Sequence, residues 1–167
     1  MIKRLLSFII VLTVLLGSSI TAEAATASYS PAVMSDGSKV FVFEDGSRLT
    51  VSAPRCAYSS SDPSKTLQTK TMQIDSSFVD SNGEPEWIYT LTCVFSYEYG
   101  VSSTCTNAYY NQTIYQGNWT FSNGAATVSG NRGTGTGHYE KKILFITVKS
   151  IDVLLTLTCD VYGNVTA

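Results

Sequence analysis

Trp87-Ile88-Tyr89-Thr90-Leu91-Thr92-Cys93-Val94-Phe95-Ser96-Tyr97 is the stretch whose period settles the class of the fold. Trp87, Tyr89, Leu91, Cys93, Phe95 and Tyr97 fall on alternate positions. A side-chain period of two is that of a strand with one buried face. Near the C-terminus Ile151, Val153, Leu155, Leu157, Cys159 and Val161 alternate in the same way, and both runs contain Thr-Leu-Thr-Cys. These two strands are expected to form the core, each with a cysteine on its inward side.

The segments around them read as further strands and turns. Lys39–Glu44 and Ser47–Ser52 flank Asp45-Gly46, a dipeptide suited to a two-residue hairpin turn that needs positive φ. That count sets Val42 opposite Leu49 and Val40 opposite Val51, with Phe41 and Phe43 on the other face. Residues 53–65, with Pro54 and Pro63 and no period, read as a loop, and 66–75 as a strand. Ser81-Asn82-Gly83-Glu84-Pro85 has the composition of a turn. Beyond Glu98-Tyr99-Gly100, residues 101–110 and 112–121 are expected as strands, Ser122-Asn123-Gly124 as a turn, and 125–129, 139–149 and 151–161 as strands, with a last turn at Gly163-Asn164. Gly133, Gly135 and Gly137 leave a bare strip on one strand face, where an aromatic ring or another backbone can approach closely. Thr134, Thr136 and His138 take the opposite face.

At the N-terminus, Lys3 and Arg4 precede the apolar run Leu5–Leu16, and Ala22-Glu23-Ala24 follows. These are the three regions of a secretory leader, so residues 1–24 are expected to be removed after Ala24. The apolar run falls short of the roughly 20 residues that a membrane span needs. Residues 25–37 read as a loose leader and 38–167 as a single β domain, secreted or held at the cell envelope. Without Lys3, Arg4 and Glu23, the 11 basic and 13 acidic residues become 9 and 12, and no basic cluster suggests nucleic acid.

Four cysteines, Cys56, Cys93, Cys105 and Cys159, are expected to form two disulfides in an oxidising space. Counting outward from Tyr99 sets Tyr97 opposite Val101 and Cys93 opposite Cys105, at the separation a cross-strand disulfide requires. Cys56 then pairs with Cys159 by elimination. A metal or cofactor is not expected: Cys-x-x-Cys is missing and His138 is the only histidine. The carboxylates Asp75, Asp80, Glu84 and Glu86 read as a solvated turn, and Gly133–Gly137 lacks the helix that a phosphate loop requires. Asn111, Asn118 and Asn164 head glycosylation sequons, which are read as chance matches because the leader reads as bacterial. Tyr99, at a hairpin tip, and Tyr110, near a strand end, are the aromatic side chains expected to face solvent and to contact a ligand, whereas Trp87, Tyr89 and Tyr97 belong to the core.

Leu91-Thr92-Cys93-Val94-Phe95-Ser96-Tyr97 resembles the B strand of immunoglobulin domains, although Trp119 lies 26 residues after Cys93 and Leu157 replaces the tyrosine of the family's Tyr-x-Cys. With the leader, Asn118-Trp119 and the closing Leu-Thr-Cys-Asp-x-x-Gly-Asn, residues 87–166 are more broadly similar to small secreted proteins of unknown function from Gram-positive bacteria. The expected fold is an all-β antiparallel sandwich of seven to nine strands, with a closed barrel as the alternative. The expected role is a non-enzymatic binding module for an extracellular protein or glycan. A carbohydrate-binding module would show aligned exposed aromatics on one sheet face, an inhibitor or effector a rigid protruding loop such as 53–65, and a hydrolase a cleft joining His138 to an acid.

Overall fold

The computed structural model describes residues 31–60 and 66–167. The expected leader, residues 1–24, and the first part of 25–37 lie outside them. Strands β1 (Ala32–Val33), β2 (Lys39–Val42), β3 (Arg48–Val51), β4 (Arg55–Ser60), β5 (Leu67–Val79), β6 (Pro85–Glu98), β7 (Ser102–Ile114), β8 (Trp119–Ser129), β9 (Arg132–Ile143), β10 (Ile146–Cys159) and β11 (Val165–Thr166) form two antiparallel sheets. The larger sheet has seven strands in the order β1-β2-β3-β5-β6-β7, with β4 beside β5. Strands β3 and β4 share one edge of β5, β3 pairing with Ser76–Val79 and β4 with Thr69–Gln73. The smaller sheet runs β11-β10-β9-β8. The alternative of a closed barrel is corrected: the sheets meet along β7 and β8, where the Cys105 N–H donates to the Gly130 carbonyl at 2.8 Å, and stay open at β10.

The two alternating runs are β6 and β10, and their apolar phases face each other. Trp87, Tyr89, Leu91, Cys93 and Phe95 are buried from one sheet, and Ile151, Val153, Leu155, Leu157 and Cys159 from the other. Each large apolar side chain buried this way contributes roughly 1.5–3 kcal/mol. Between them lies the glycine strip of β9. A Cβ at Gly133 would stand 2.3 Å from the Cys93 sulfur, one at Gly135 2.8 Å from the Tyr89 hydroxyl, and one at Gly137 2.5 Å from the Phe121 ring. With no side chains there, the Tyr89 hydroxyl reaches the backbone and donates to the Thr136 carbonyl at 3.0 Å. The Trp87 ring stacks on Tyr139 with centroids 3.8 Å apart, and Phe78, Trp119 and Phe121 pack around this pair.

Four loops share one backbone pattern. In 34–38, 43–47, 80–84 and 160–164 the first residue donates its N–H to the fifth carbonyl, and a glycine in fourth place donates back to the first carbonyl. An aspartate inside each loop accepts local N–H or O–H groups: Asp36, Asp45, Asp80 and Asp160. The expected two-residue turn at Asp45-Gly46 is therefore a five-residue loop, and only Gly46 has positive φ, at 81°. The register moves accordingly to Phe41 opposite Leu49 and Val40 opposite Thr50. A one-residue shift exchanges the faces of a strand, so Phe43, Leu49 and Val51 pack on the core while Val42 is exposed.

Several other expectations are corrected. Residues 55–60, read as loop, form β4, with a bulge between Cys56 and Tyr58. β7 ends at Ile114 and β8 starts at Trp119, where one strand over 112–121 was expected. Ser122–Ala125 is a bulge inside β8, with Asn123 at φ 54°, and not a turn. Residues 139–149 are not one strand, because the chain reverses at Leu144-Phe145. Ala32–Val33, within the segment read as a leader, pairs with β2.

The cysteine geometry also differs. The β6–β7 loop comprises Tyr99-Gly100-Val101, and a bulge follows, so Cys93 faces Ala108 while Cys105 faces Phe95. No sulfur–sulfur bond joins any two of the four cysteines. Cys93 and Cys105 still share the inner face as diagonal neighbours, both sulfurs lying against Gly133. Burial first, and then Cys105, push the Cys93 thiol up to about 12. Cys56 is exposed on the edge strand β4 and Cys159 is fully buried on β10, so the pairing by elimination has no counterpart either.

The glycine strip sets a sharp expectation. Gly133→Val would drive a branched side chain into the Cys93 and Cys105 sulfurs and should cost about 3 kcal/mol in urea unfolding. Gly117→Ala, with open space around it, should stay within about 0.5 kcal/mol. Equal behaviour of the two variants would contradict the packing.

Candidate functional site

The outer face of the larger sheet carries the most developed polar and aromatic arrangement among the described residues. Cross-strand partners share a face, so the registers place Tyr58, Thr71, Val94 and Asn107 in one row across β4, β5, β6 and β7. The next row is Arg55, Gln73, Thr92 and Tyr109, and the third is Asp75, Thr90 and Asn111. Tyr58 is 62% and Tyr109 49% exposed, at opposite margins of the face. Three strand spacings of about 4.8 Å and one row of about 7 Å separate their backbones by roughly 16 Å.

The ground between the tyrosines is held by its own hydrogen bonds. Arg55 Nη1 is ion-paired with Asp75 Oδ2, and Arg55 Nη2 donates to Gln73 Oε1 at 3.3 Å. Gln73 Nε2 donates to Thr92 Oγ1 at 3.1 Å, and Thr90 Oγ1 donates to Asp75 Oδ1 at 2.7 Å. These bonds fix side chains that would otherwise lose rotamer freedom on binding. The Arg55 side chain stays half exposed, leaving guanidinium donors for a ligand. Sequence reading missed Arg55 and Tyr58 because the bulge at Ala57 breaks the alternation of β4.

The two aromatic candidates lie elsewhere. Tyr99 is 70% exposed at the β6–β7 tip, edge-on to Tyr162 with centroids 5.3 Å apart. The Gly100 N–H binds the Val161 carbonyl, so this tip is docked on the 160–164 loop. Tyr110 points inward, stacked on Tyr89 at 5.5 Å and covering Gly124. Burial first, and then Tyr110, push the Tyr89 hydroxyl up to about 12.

The acids around the 80–84 loop separate. Asp75 joins the polar face, and Asp80 closes its own loop. Glu86 is buried, accepting from the Trp119 indole at 2.9 Å and from Lys141 Nζ at 2.6 Å, and so ties β6 to β8 and β9.

On the outer face of the smaller sheet, Ser122, His138 and Asp152 form one cross-strand row. His138 Nδ1 lies 2.7 Å from Asp152 Oδ1, and Nε2 lies 3.5 Å from Glu140 Oε1. Both ring nitrogens thus face carboxylates, Ser122 is not a hydrogen-bond partner among the described residues, and the row sits on an open sheet face rather than in a cleft. The hydrogen bond to Asp152 holds the imidazole pKa above its ordinary value against the opposing effect of burial. A raised folded-state pKa stabilises fully below the unfolded value of about 6.5 and fades as pH climbs through the higher folded value. Unfolding free energy should therefore decline above pH 6.5 by less than about 1 kcal/mol, and His138→Gln should flatten that decline. A slope that persists in the variant would assign the effect to another group. No protein-family model, curated protein or solved structure matches this chain.

Proposed function

We propose that the chain is an exported, non-enzymatic binding module that takes an extended glycan on the outer face of its larger sheet. The observation that carries this reading is the pair of exposed tyrosines, Tyr58 and Tyr109, flanking the Arg55–Gln73–Thr92 strip. Tyrosine offers a flat apolar face at little entropic cost and keeps a hydroxyl for hydrogen bonding. Sugar rings present the matching chemistry, with C–H faces for the aromatics and hydroxyl edges for Arg55, Gln73, Asp75 and Asn111. The separation of the tyrosines suits several linked rings lying across β4–β7. A flat, preorganised face favours a polymer that can lie along it over a small molecule, which needs a concave site.

Glycan-array screening of the exported protein, followed by titration calorimetry with the best saccharide, tests this. Tyr58→Ala and Tyr109→Ala should each weaken binding about tenfold, equivalent to roughly 1.4 kcal/mol, without moving the thermal midpoint. Loss on Tyr99→Ala alone would move the site to the Tyr99–Tyr162 tip and overturn the assignment to the sheet face. Failure to bind any glycan would overturn the saccharide reading.

A further inference from the structure

The β9–β10 hairpin turns on Leu144-Phe145, flanked by the pair Ile143 and Ile146. Leu144 and Phe145 have φ of 46° and 71°. Two-residue turns of this kind are the province of Asn-Gly, because positive φ is costly for large side chains. Leu144 is 85% and Phe145 100% exposed, and Ile143, Ile146 and the bulged Val148 are each about half exposed. Backbone strain is thus combined with apolar surface that none of the described residues covers. A strained, exposed apolar turn gains nothing for folding, so its origin is sought in function.

We infer that this tip is a membrane-surface anchor that inserts into the headgroup–acyl boundary of a lipid bilayer. Three features favour lipid. The apolar side chains radiate from a convex tip, which a deformable medium receives from every side. Two residues per strand extend about 7 Å at strand rise, within the roughly 5–10 Å depth of interfacial insertion. Directly behind them the composition turns polar: Lys142 stands opposite Thr147 in the next pair, and Lys141 opposite Lys149 after the bulge. Tyr115, half exposed, lies on the same tier, its N–H bonded to the Glu86 carbonyl beside Lys141. An apolar tip above a collar formed by the half-exposed Lys142 and Tyr115, with Lys141 and Lys149 folded back onto Glu86 and Asp45, matches the layering of a bilayer interface.

The collar also indicates the kind of surface. Lys141 pairs with Glu86 at 2.6 Å, Lys142 with Glu140 at 3.0 Å and Lys149 with Asp45 at 2.7 Å. Each of these three lysines is neutralised by the protein's own acid, so attachment is apolar in origin and suits a zwitterionic surface.

Co-sedimentation of the exported protein with phosphatidylcholine vesicles tests the anchor. The protein should partition onto them, and raising salt from about 0.05 to 0.5 M should change the partition less than twofold. The double variant Leu144→Asn/Phe145→Gly relieves the turn and removes the apolar surface together. It should unfold at a higher temperature while vesicle partition falls at least tenfold, a divergence that a merely structural role would not produce. Phe145→Trp adds an exposed indole to the buried Trp87 and Trp119, and its emission should shift to the blue on vesicle addition. Absence of partition, or partition unchanged in the double variant, overturns the proposal. A requirement for anionic lipid with loss at high salt also overturns it. So does a dimer that the double variant converts to monomer, since the tip would then cover a second copy of this chain.

Discussion

The fold depends on a close approach between one strand's backbone and another sheet's side chains. Strand β9 offers hydrogen at Gly133, Gly135 and Gly137, and β6 fills the space with Cys93, Leu91 and Tyr89 while β8 contributes Phe121. A side chain on β9 would separate the layers and lift Tyr89 from the Thr136 carbonyl. On β10 the partners of these glycines are Leu157, Leu155 and Val153, so bulk is concentrated beside the strip rather than on it. That division of large and small lets two sheets of unequal width interlock without an unfilled layer.

Polar ties hold the rim of this arrangement. Glu86, Lys141 and Trp119 close one end on the β8 side with charge and indole hydrogen bonds, while Lys149 closes the open side by reaching Asp45 and Ser47. Lys149 also lies over Phe43 and Phe78, at 4.4 and 4.9 Å from their ring centres, so its cation is held by aromatic faces as well as a carboxylate. Burial alone would raise the Asp45 carboxyl, but hydrogen bonds from Lys149 and Ser47 outweigh it and bring it down to about 2. The two faces left free of these ties are the outer faces of the sheets, where the candidate binding side chains lie.

Much of the core was legible in the sequence because period-two patterning survives wherever a strand is straight and half buried. Strands β6 and β10, the inward phase of Trp87, Tyr89 and Tyr97, and the bare face of β9 were all readable in this way. Legibility failed where the chain departs from regular pairing. The bulge after Cys56 hid β4 and with it Arg55 and Tyr58 of the candidate site, and the tip at Tyr99–Val101 together with the bulge after Cys105 displaced the cysteine register. The reversal at Leu144-Phe145 was invisible because no glycine, asparagine or proline marks it. There the tertiary structure imposes a conformation that local propensity opposes, and local propensity is all that a turn motif encodes.

Lys149 has a further consequence. Along its outer margin β10 is paired only at Thr158 and Cys159, among the described residues, so the rest of a fourteen-residue strand ends the smaller sheet. An unpaired strand of that length is a template on which another chain can extend the sheet. A lysine turned inward from such a strand, next to a bulge at Val148, spoils the flat repeat that a docking strand must match. An incoming strand would have to strip the ammonium of Asp45, Ser47 and two aromatic rings, or leave a gap in its own ladder. The ion pair that fastens the sandwich thus doubles as a guard against fibre growth.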